Sequence, residues 1–410
     1  MGMTPLAKKI VVGISVIVLV YVTTGYVRAR SSDDKAYRAL TVYSEVLEHI
    51  QRDYVDDPNI HTVTNGALHG LLDSLDPESS YLSPLEYKDY KEKSENKAAG
   101  DAGLALTKRF GYISVISTLP DSPAQKAGLR LGDILEKIAG FTTGQMSIDQ
   151  AQVLLNGAPG SVVKLSVIGR GKTEPQSIDL TLAKLPAPKM VEDKLAGDIA
   201  YLRVPEFTAG MSGEIRSALQ QFGREGEHKL ILDLRGCSLG SIQEGISTAQ
   251  LFLNSGTIVT LKGQTLTTAV SSADPSKVIW TEPVTVLIGN ETAGPAEILA
   301  AAIADNHRGE TLGDRTYGTA SLQKLIPLDD GAALILTVGN YFTPGGKEIP
   351  VDGVTPTVAV APPPTDSVAQ MDQTPPPVAV GSVSADDPVI KKAIEILHGA
   401  STAAPAQKAA

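Results

Sequence analysis

In AYRALTVYSEVLEHIQRDYVD, residues 36–56, the apolar positions Leu40, Tyr43, Leu47, Ile50 and Tyr54 recur at steps of three and four. That period predicts an amphipathic helix. NGALHGLLDSL predicts a second, short helix, stopped by DPESSYLSP. Together they make a helical cap over 36–98, which either packs on the rest of the protein or dimerises. The charged, glycine-containing stretch KEKSENKAAGDAG breaks this pattern. Beyond it, YISVIS reads as a strand. PDSPAQKAGLRLGDILEKIAG reads as a turn, a short helix, a glycine cap and a strand. MSIDQAQVLLNG reads as a helix that starts at Ser147 and closes at Gly157. SVVKLSVIG and QSIDLTLAKL alternate as strands do. Residues 99–188 are therefore expected to form one β-rich module with two helices.

From 189 to 360 the pattern changes again. AYLRV, KLILDLR, VTVLIG and AALILTVGNYF are apolar strands, separated by the helical stretches SGEIRSALQQF, EGISTAQLFL and PAEILAAAIADN. Buried strands alternating with helices predict a largely parallel sheet covered on both faces. The whole is of mixed α/β class. Pro362–Pro364 and Pro375–Pro377 mark an extended linker over 361–386. Asp387 then caps a helix over 387–399, with Pro388 at its first position and Gly399 at its end. Ile390, Ile394 and Leu397 give that helix one apolar face. Residues 400–410 are expected to be disordered.

The first 30 residues add a compartment. Lys8 and Lys9 precede an apolar run from Ile10 to Val27, near the lower length limit for a membrane span. A cleaved signal peptide and an uncleaved signal anchor both fit. Val27-Arg28-Ala29 is a poor cleavage site, which favours the anchor. The bulk of the chain is then exported and faces the periplasm or another extracytoplasmic space, held at the inner membrane.

Charge and composition exclude some partners. The chain has 36 basic and 46 acidic residues, a net charge of −10, and no long basic run, which argues against nucleic acid. There is no HExxH and no CxxC, and the six histidines lie far apart, so no metal or other cofactor is expected. Cys237 is alone, so an intrachain disulfide is impossible.

Four segments, in order, carry a family resemblance. ALHGLLDSLDPESSYLSPLEY, SPAQKAGLRLGDILEKIAG, LILDLRG and YFTPGGKEIPVDGVTPTVAV together resemble the carboxyl-terminal processing peptidases, serine peptidases with an embedded PDZ domain. The resemblance covers about residues 36–360. It implies a PDZ domain over 99–188 and a peptidase core of crotonase-like type over 189–360. It also implies a serine nucleophile, a lysine base 25 residues later and an orienting glutamine four residues after that. The serine is expected three residues before the glutamate of S-A-S-E-I.

Here TAGPAEI ends in Glu297 and Ile298, which puts Gly294 at the nucleophile position. Thr319 falls at the base position and Gln323 at the glutamine position. Gly294 offers no attacking oxygen, and a threonine hydroxyl cannot replace a tuned lysine amine. The resemblance assigns one oxyanion donor to the N–H after the nucleophile, but Pro295 has none. It assigns the other to a glycine pair, where DLRGCSLG has Leu239 and Gly240. Catalysis is expected to be lost. A displaced nucleophile remains as an alternative, with Thr292, Ser321, Cys237 and Ser238 the nearest candidates.

The PDZ module carries no such defect. PDZ domains add a C-terminal peptide as a strand at a sheet edge. Gly103, Leu104, Ala105 and Leu106 correspond to the carboxylate-binding loop, with Ala105 in place of a second glycine. Ala151, Leu154 and Leu155 would line the groove from the helix. The expected partners are thus C-terminal peptides, the membrane through the N-terminal segment, and either a second copy or an active relative. A structural envelope scaffold is the remaining alternative.

Overall fold

The structure is a computed structural model and describes residues 37–95, 100–109, 111–186, 189–360 and 387–400. The expected anchor, the proline-rich linker and the tail beyond residue 400 lie outside the described residues. The chain divides into two units, Met1–Leu68 and His69–Ala410. The first unit holds a helix over 37–53 and the start of a second, Ile60–Asp73. That second helix begins five residues before the NGALHG motif. The Asn59 side chain accepts the Thr62 N–H at 3.1 Å and so caps it.

In the second unit, one antiparallel sheet orders the strands Leu104–Arg109, Tyr112–Thr118, Ile134–Ile138, Val162–Ile168 and Gln176–Thr181. The strand Leu104–Arg109 is at its edge. Ala124 on the helix Pro123–Lys126 and Ala151 on the helix Ile148–Leu154 are buried against the Ile113, Leu135, Ile138 and Leu165 side chains. The second helix starts where the sequence places it. Ser147 Oγ accepts the Gln150 N–H at 3.0 Å, and the Gln150 side chain accepts the Ser147 N–H at 2.7 Å.

The core contains a six-stranded sheet. Its order is Val191–Leu195, Ile199–Arg203, Lys229–Asp233, Val284–Ile288, Glu310–Gly313 and Val358–Ala359. All neighbouring pairs but the first are parallel. Alternation along the strands fills both faces. Ala200, Leu202, Leu230 and Leu232 face the helices Met211–Glu225, Ile242–Ala249 and Pro295–Asp305. Ile199, Tyr201, Ile231 and Leu287 face Ile390, Ala393 and Leu397 of the helix Pro388–Ala400. That C-terminal helix is docked by charge as well. Arg235 bonds Asp233 through two nitrogens and reaches Asp387 at 2.6 Å through the third.

A second, antiparallel sheet was not expected. It joins Ser80–Leu82, Ala333–Phe342, Thr257–Lys262 and Ala269–Ser272, and the strand Ser321–Pro327 also pairs with Ala333–Phe342. This sheet carries the DPESSYL segment into the core, where Ser79 Oγ accepts the Thr337 N–H at 3.1 Å. Ser321 and Gln323 therefore lie on a strand rather than a loop.

Candidate functional site

The turn between the strand Val284–Ile288 and the helix Pro295–Asp305 is held from several sides. Thr292 Oγ donates to the Leu234 carbonyl at 2.9 Å and accepts the Gly289 N–H at 3.0 Å. The Ala293 N–H donates to the Cys237 carbonyl at 3.0 Å. Gly294 follows with φ +57° and ψ −118°, a region that is strained for any residue with a side chain. Such sharp strand-to-helix turns are used by hydrolases to present a nucleophile. A Cβ built at Gly294 would meet only the Ser238 carbonyl oxygen, at 3.9 Å. The turn at Gly294 therefore leaves open space where a side chain would stand.

Pro295 opens the helix, so the first turn lacks one amide hydrogen. Glu297, two residues on, is fully buried. Its Oε2 accepts the N–H groups of Gly294 and Thr319, each at 2.9 Å. Its Oε1 accepts the Gly318 N–H at 2.7 Å and the Thr316 hydroxyl. One carboxylate therefore ties Gly294 to Thr319. Burial pushes this carboxyl up to about 7, against the pull of the four donors.

Thr319 is half-buried and lines a cleft of about 990 Å³, together with Glu78, Lys108, Gly318 and Ser321. Lys108 is engaged with Asp73 at 2.7 Å. Gln323 donates to Glu78 and to Ser321 Oγ, the latter at 2.7 Å, and Ser321 Oγ donates to the same Glu78 oxygen. Burial raises the Glu78 carboxyl, while the Ser321 and Gln323 donors oppose the shift. The sequence gives no signal for Glu78, because it lies more than two hundred positions upstream of its partners.

The loop after the strand Lys229–Asp233 joins the core to the β-rich module. Cys237 is fully buried, and burial raises its thiol far above the range in which thiolate forms. Ser238 Oγ lies 2.5 Å from Ser117 Oγ of the β-rich module. Leu239 and Tyr317 pack with Ala105, Ile116 and Ala293, so the same module rests against the residue before Gly294. Gly240 has φ +116°, and a Cβ there would collide with the Phe207 backbone at 2.3 Å. Glycine is required at that position on steric grounds alone.

A second cavity, of about 390 Å³, lies between the edge strand Leu104–Arg109 and the helix Ile148–Leu154. Gly103, Leu104, Leu106 and Leu155 line it. Ala105 does not, because alternation turns it toward Ile116 and Ala293. Ala151 is buried in the core of the module, and Leu154 lines a different groove with Leu85 and Phe141. Asp101, Gln152, Glu206 and Leu239 line the cavity without having been expected there. Glu206 and Leu239 belong to the core, which only the fold brings near. Among the described residues, no group of three or more His, Cys, Asp or Glu side chains could hold a metal, and no helix is long and apolar enough to cross a membrane.

Comparison with known proteins agrees with this architecture. Residues 198–360 match peptidase family S41, and residues 115–168 match a PDZ domain. The chain is 30% identical to the carboxy-terminal-processing protease of Bartonella bacilliformis over 338 residues, 81% of this chain and 77% of that protein. It is 31% identical to the carboxyl-terminal-processing protease of a Picosynechococcus species, over 72% of each chain. Among solved structures it resembles the photosystem II D1 C-terminal processing protease, with a TM-score of 0.66 and 25% identity, covering 79% of this chain and 93% of that one. A PDZ module seated on an S41 core, with this extent of identity, places the chain among the carboxy-terminal-processing proteases of peptidase family S41.

Proposed function

We propose that this member of the family has lost proteolysis and retains peptide recognition. The observation that carries the reading is Gly294. It holds a strained nucleophile turn beside open space, but presents no side chain to attack a carbonyl. Thr319 and Pro295 remove a base and an amide donor at the same place. The PDZ module then supplies the activity, taking protein C-termini by strand addition to the edge strand Leu104–Arg109. The N-terminal apolar segment holds the chain at the inner membrane, with its bulk in the periplasm or an equivalent space. It acts there as a homodimer or paired with an active relative, presenting or withholding C-terminal segments. A passive envelope scaffold with the same fold would bind no peptide.

The test is to incubate the purified protein with an unfolded protein and with a short peptide ending in an apolar residue. Peptide binding without turnover supports the reading. Turnover overturns it, and absence of binding by calorimetry favours the scaffold.

One observation supports a second reading, an active peptidase with a displaced nucleophile. Ser321 Oγ donates to the Glu78 carboxylate inside the cleft, an arrangement in which a carboxylate takes a hydroxyl proton as the oxygen attacks. Thr292 and Cys237 do not share this standing, since both are fully buried. Turnover lost on Ser321→Ala would establish this reading, and turnover unchanged by it would end it.

A further inference from the structure

The head of the PDZ groove already contains a carboxylate of its own. Asp101 lies in the two-residue strand Gly100–Asp101, just before the loop that turns into the edge strand Leu104–Arg109. Its Oδ1 accepts the Gly103 N–H at 2.6 Å, and the Ala102 amide also favours its charged form. A groove that captures a chain terminus does so with loop amides of this kind. Gly103 cannot be replaced to relieve the arrangement, since it has φ +74° and a Cβ there would lie 2.3 Å from Ser122 Cβ. The Ala102 N–H is also engaged, with the Leu155 carbonyl at 3.2 Å.

The surroundings reinforce the effect. Glu206, reaching in from the core, is the only other charged side chain among the described residues that line the groove. Gln152 and Asn156 are neutral, and the remaining lining residues are apolar or glycine. The groove thus presents two carboxylates and no basic side chain to an incoming anion. A third negative group pays a like-charge penalty there while finding its amide donor occupied.

We propose that Asp101 is a specificity-determining residue of this groove, an internal competitor that a free terminal carboxylate must displace before it reaches the Gly103 amide. The proposal rests on the reading of the groove as a C-terminal peptide site. Burial raises the Asp101 carboxyl above its ordinary value, and the Gly103 and Ala102 amides oppose that shift. Burial also raises Glu206, and Asp101 adds to the rise. Protonation of these groups removes their negative charge and weakens the hold of Asp101 on the Gly103 amide.

The experiment measures binding of the full chain to a fluorescent peptide with an apolar, free C-terminus and to its C-terminal amide. Asp101→Asn keeps the shape of the side chain without its charge. Asp101→Ala removes the acceptor and serves as a second variant, and Glu206→Gln tests the neighbour. At pH 8, Asp101→Asn is expected to bind the free-carboxylate peptide about tenfold tighter or more than the native chain. It should gain nothing for the amide, and Glu206→Gln should gain less. The gap between the native chain and the variant should narrow as pH falls. Equal affinities of native, Asp101→Asn and Asp101→Ala for the free-carboxylate peptide at pH 8 would overturn the proposal while leaving the peptide site standing. Equal gains for the free and amidated peptides would also overturn it. Failure of every form to bind at any pH would remove the peptide site and this proposal with it.

Discussion

Gly294 and Thr319 donate their backbone N–H groups to the same atom, Glu297 Oε2, each at 2.9 Å. The two positions at which the family's chemistry is expected are thus bound to each other through a buried carboxylate, although neither carries a reactive side chain. The sharp turn at Gly294 and the loop at Thr319 are held in place by this carboxylate and not by contacts of their own side chains.

Removing that carboxylate tests its structural role. Glu297→Ala would leave the amides of Gly294, Gly318 and Thr319 and the Thr316 hydroxyl without their acceptor. We expect a loss of about 3–5 kcal/mol, read from urea unfolding. A loss below about 1 kcal/mol would mean that water replaces the carboxylate with little cost.

The same residue sets a pH dependence. Its folded value of about 7 exceeds its ordinary value of 4.5, so the native state holds a proton that the unfolded state releases. Stability from this group is complete below about pH 4.5 and is lost as pH rises through about 7, by an amount on the order of 3 kcal/mol. Asp149, pushed up to about 6 by burial, acts in the same direction at a lower pH. Urea midpoints taken from pH 5 to pH 8 should fall for the native protein and flatten in Glu297→Gln. Identical slopes in the two proteins would remove Glu297 as the cause.

Rebuilding the site separates its defects. Gly294→Ser with Thr319→Lys supplies a nucleophile and a base in a turn that has room for the serine. Full peptidase activity is not expected, because Pro295 still lacks the amide hydrogen, and one missing oxyanion donor typically costs about 3–4 kcal/mol. Adding Pro295→Ala should raise kcat of the double variant by about a hundredfold or more. Ordinary peptidase rates in the double variant alone would refute the oxyanion argument.

The C-terminal helix is an integral part of the core. Leu397 is 1% exposed, and Ile390 is 2% exposed against the strands Ile199–Arg203 and Lys229–Asp233. Leu397→Ala is expected to cost about 2–4 kcal/mol. Asp387→Ala, which removes the Arg235 contact, should cost about 1–3 kcal/mol. Hydrogen exchange at Ile390 that stays fast in the native protein would show the helix undocked.

Much of this was legible in the chain. The parallel sheet showed itself in KLILDLR and VTVLIG because strands buried on both faces are continuously apolar. The capping box at Ser147 and Gln150 is local, so spacing reveals it. The second sheet was hidden because Ser321–Pro327 is largely exposed and reads as SLQKLIP, without clear alternation. Side-chain direction was hidden too. Ala105 follows a groove-lining leucine yet turns toward Ile116 and Ala293, and only strand geometry tells the two apart. The Glu78–Ser321 contact and the entry of Glu206 into the PDZ groove join residues far apart in sequence, and no motif encodes either.

The loss of chemistry at Gly294 is the central claim, and a prolonged digestion of an unfolded protein by the purified full chain tests it most directly, with intact-mass analysis of both proteins. The account predicts an uncut substrate and no acyl adduct on this chain. Fragments that accumulate in proportion to the protein and disappear in Ser321→Ala, or a covalent adduct on any of its side chains, would contradict it.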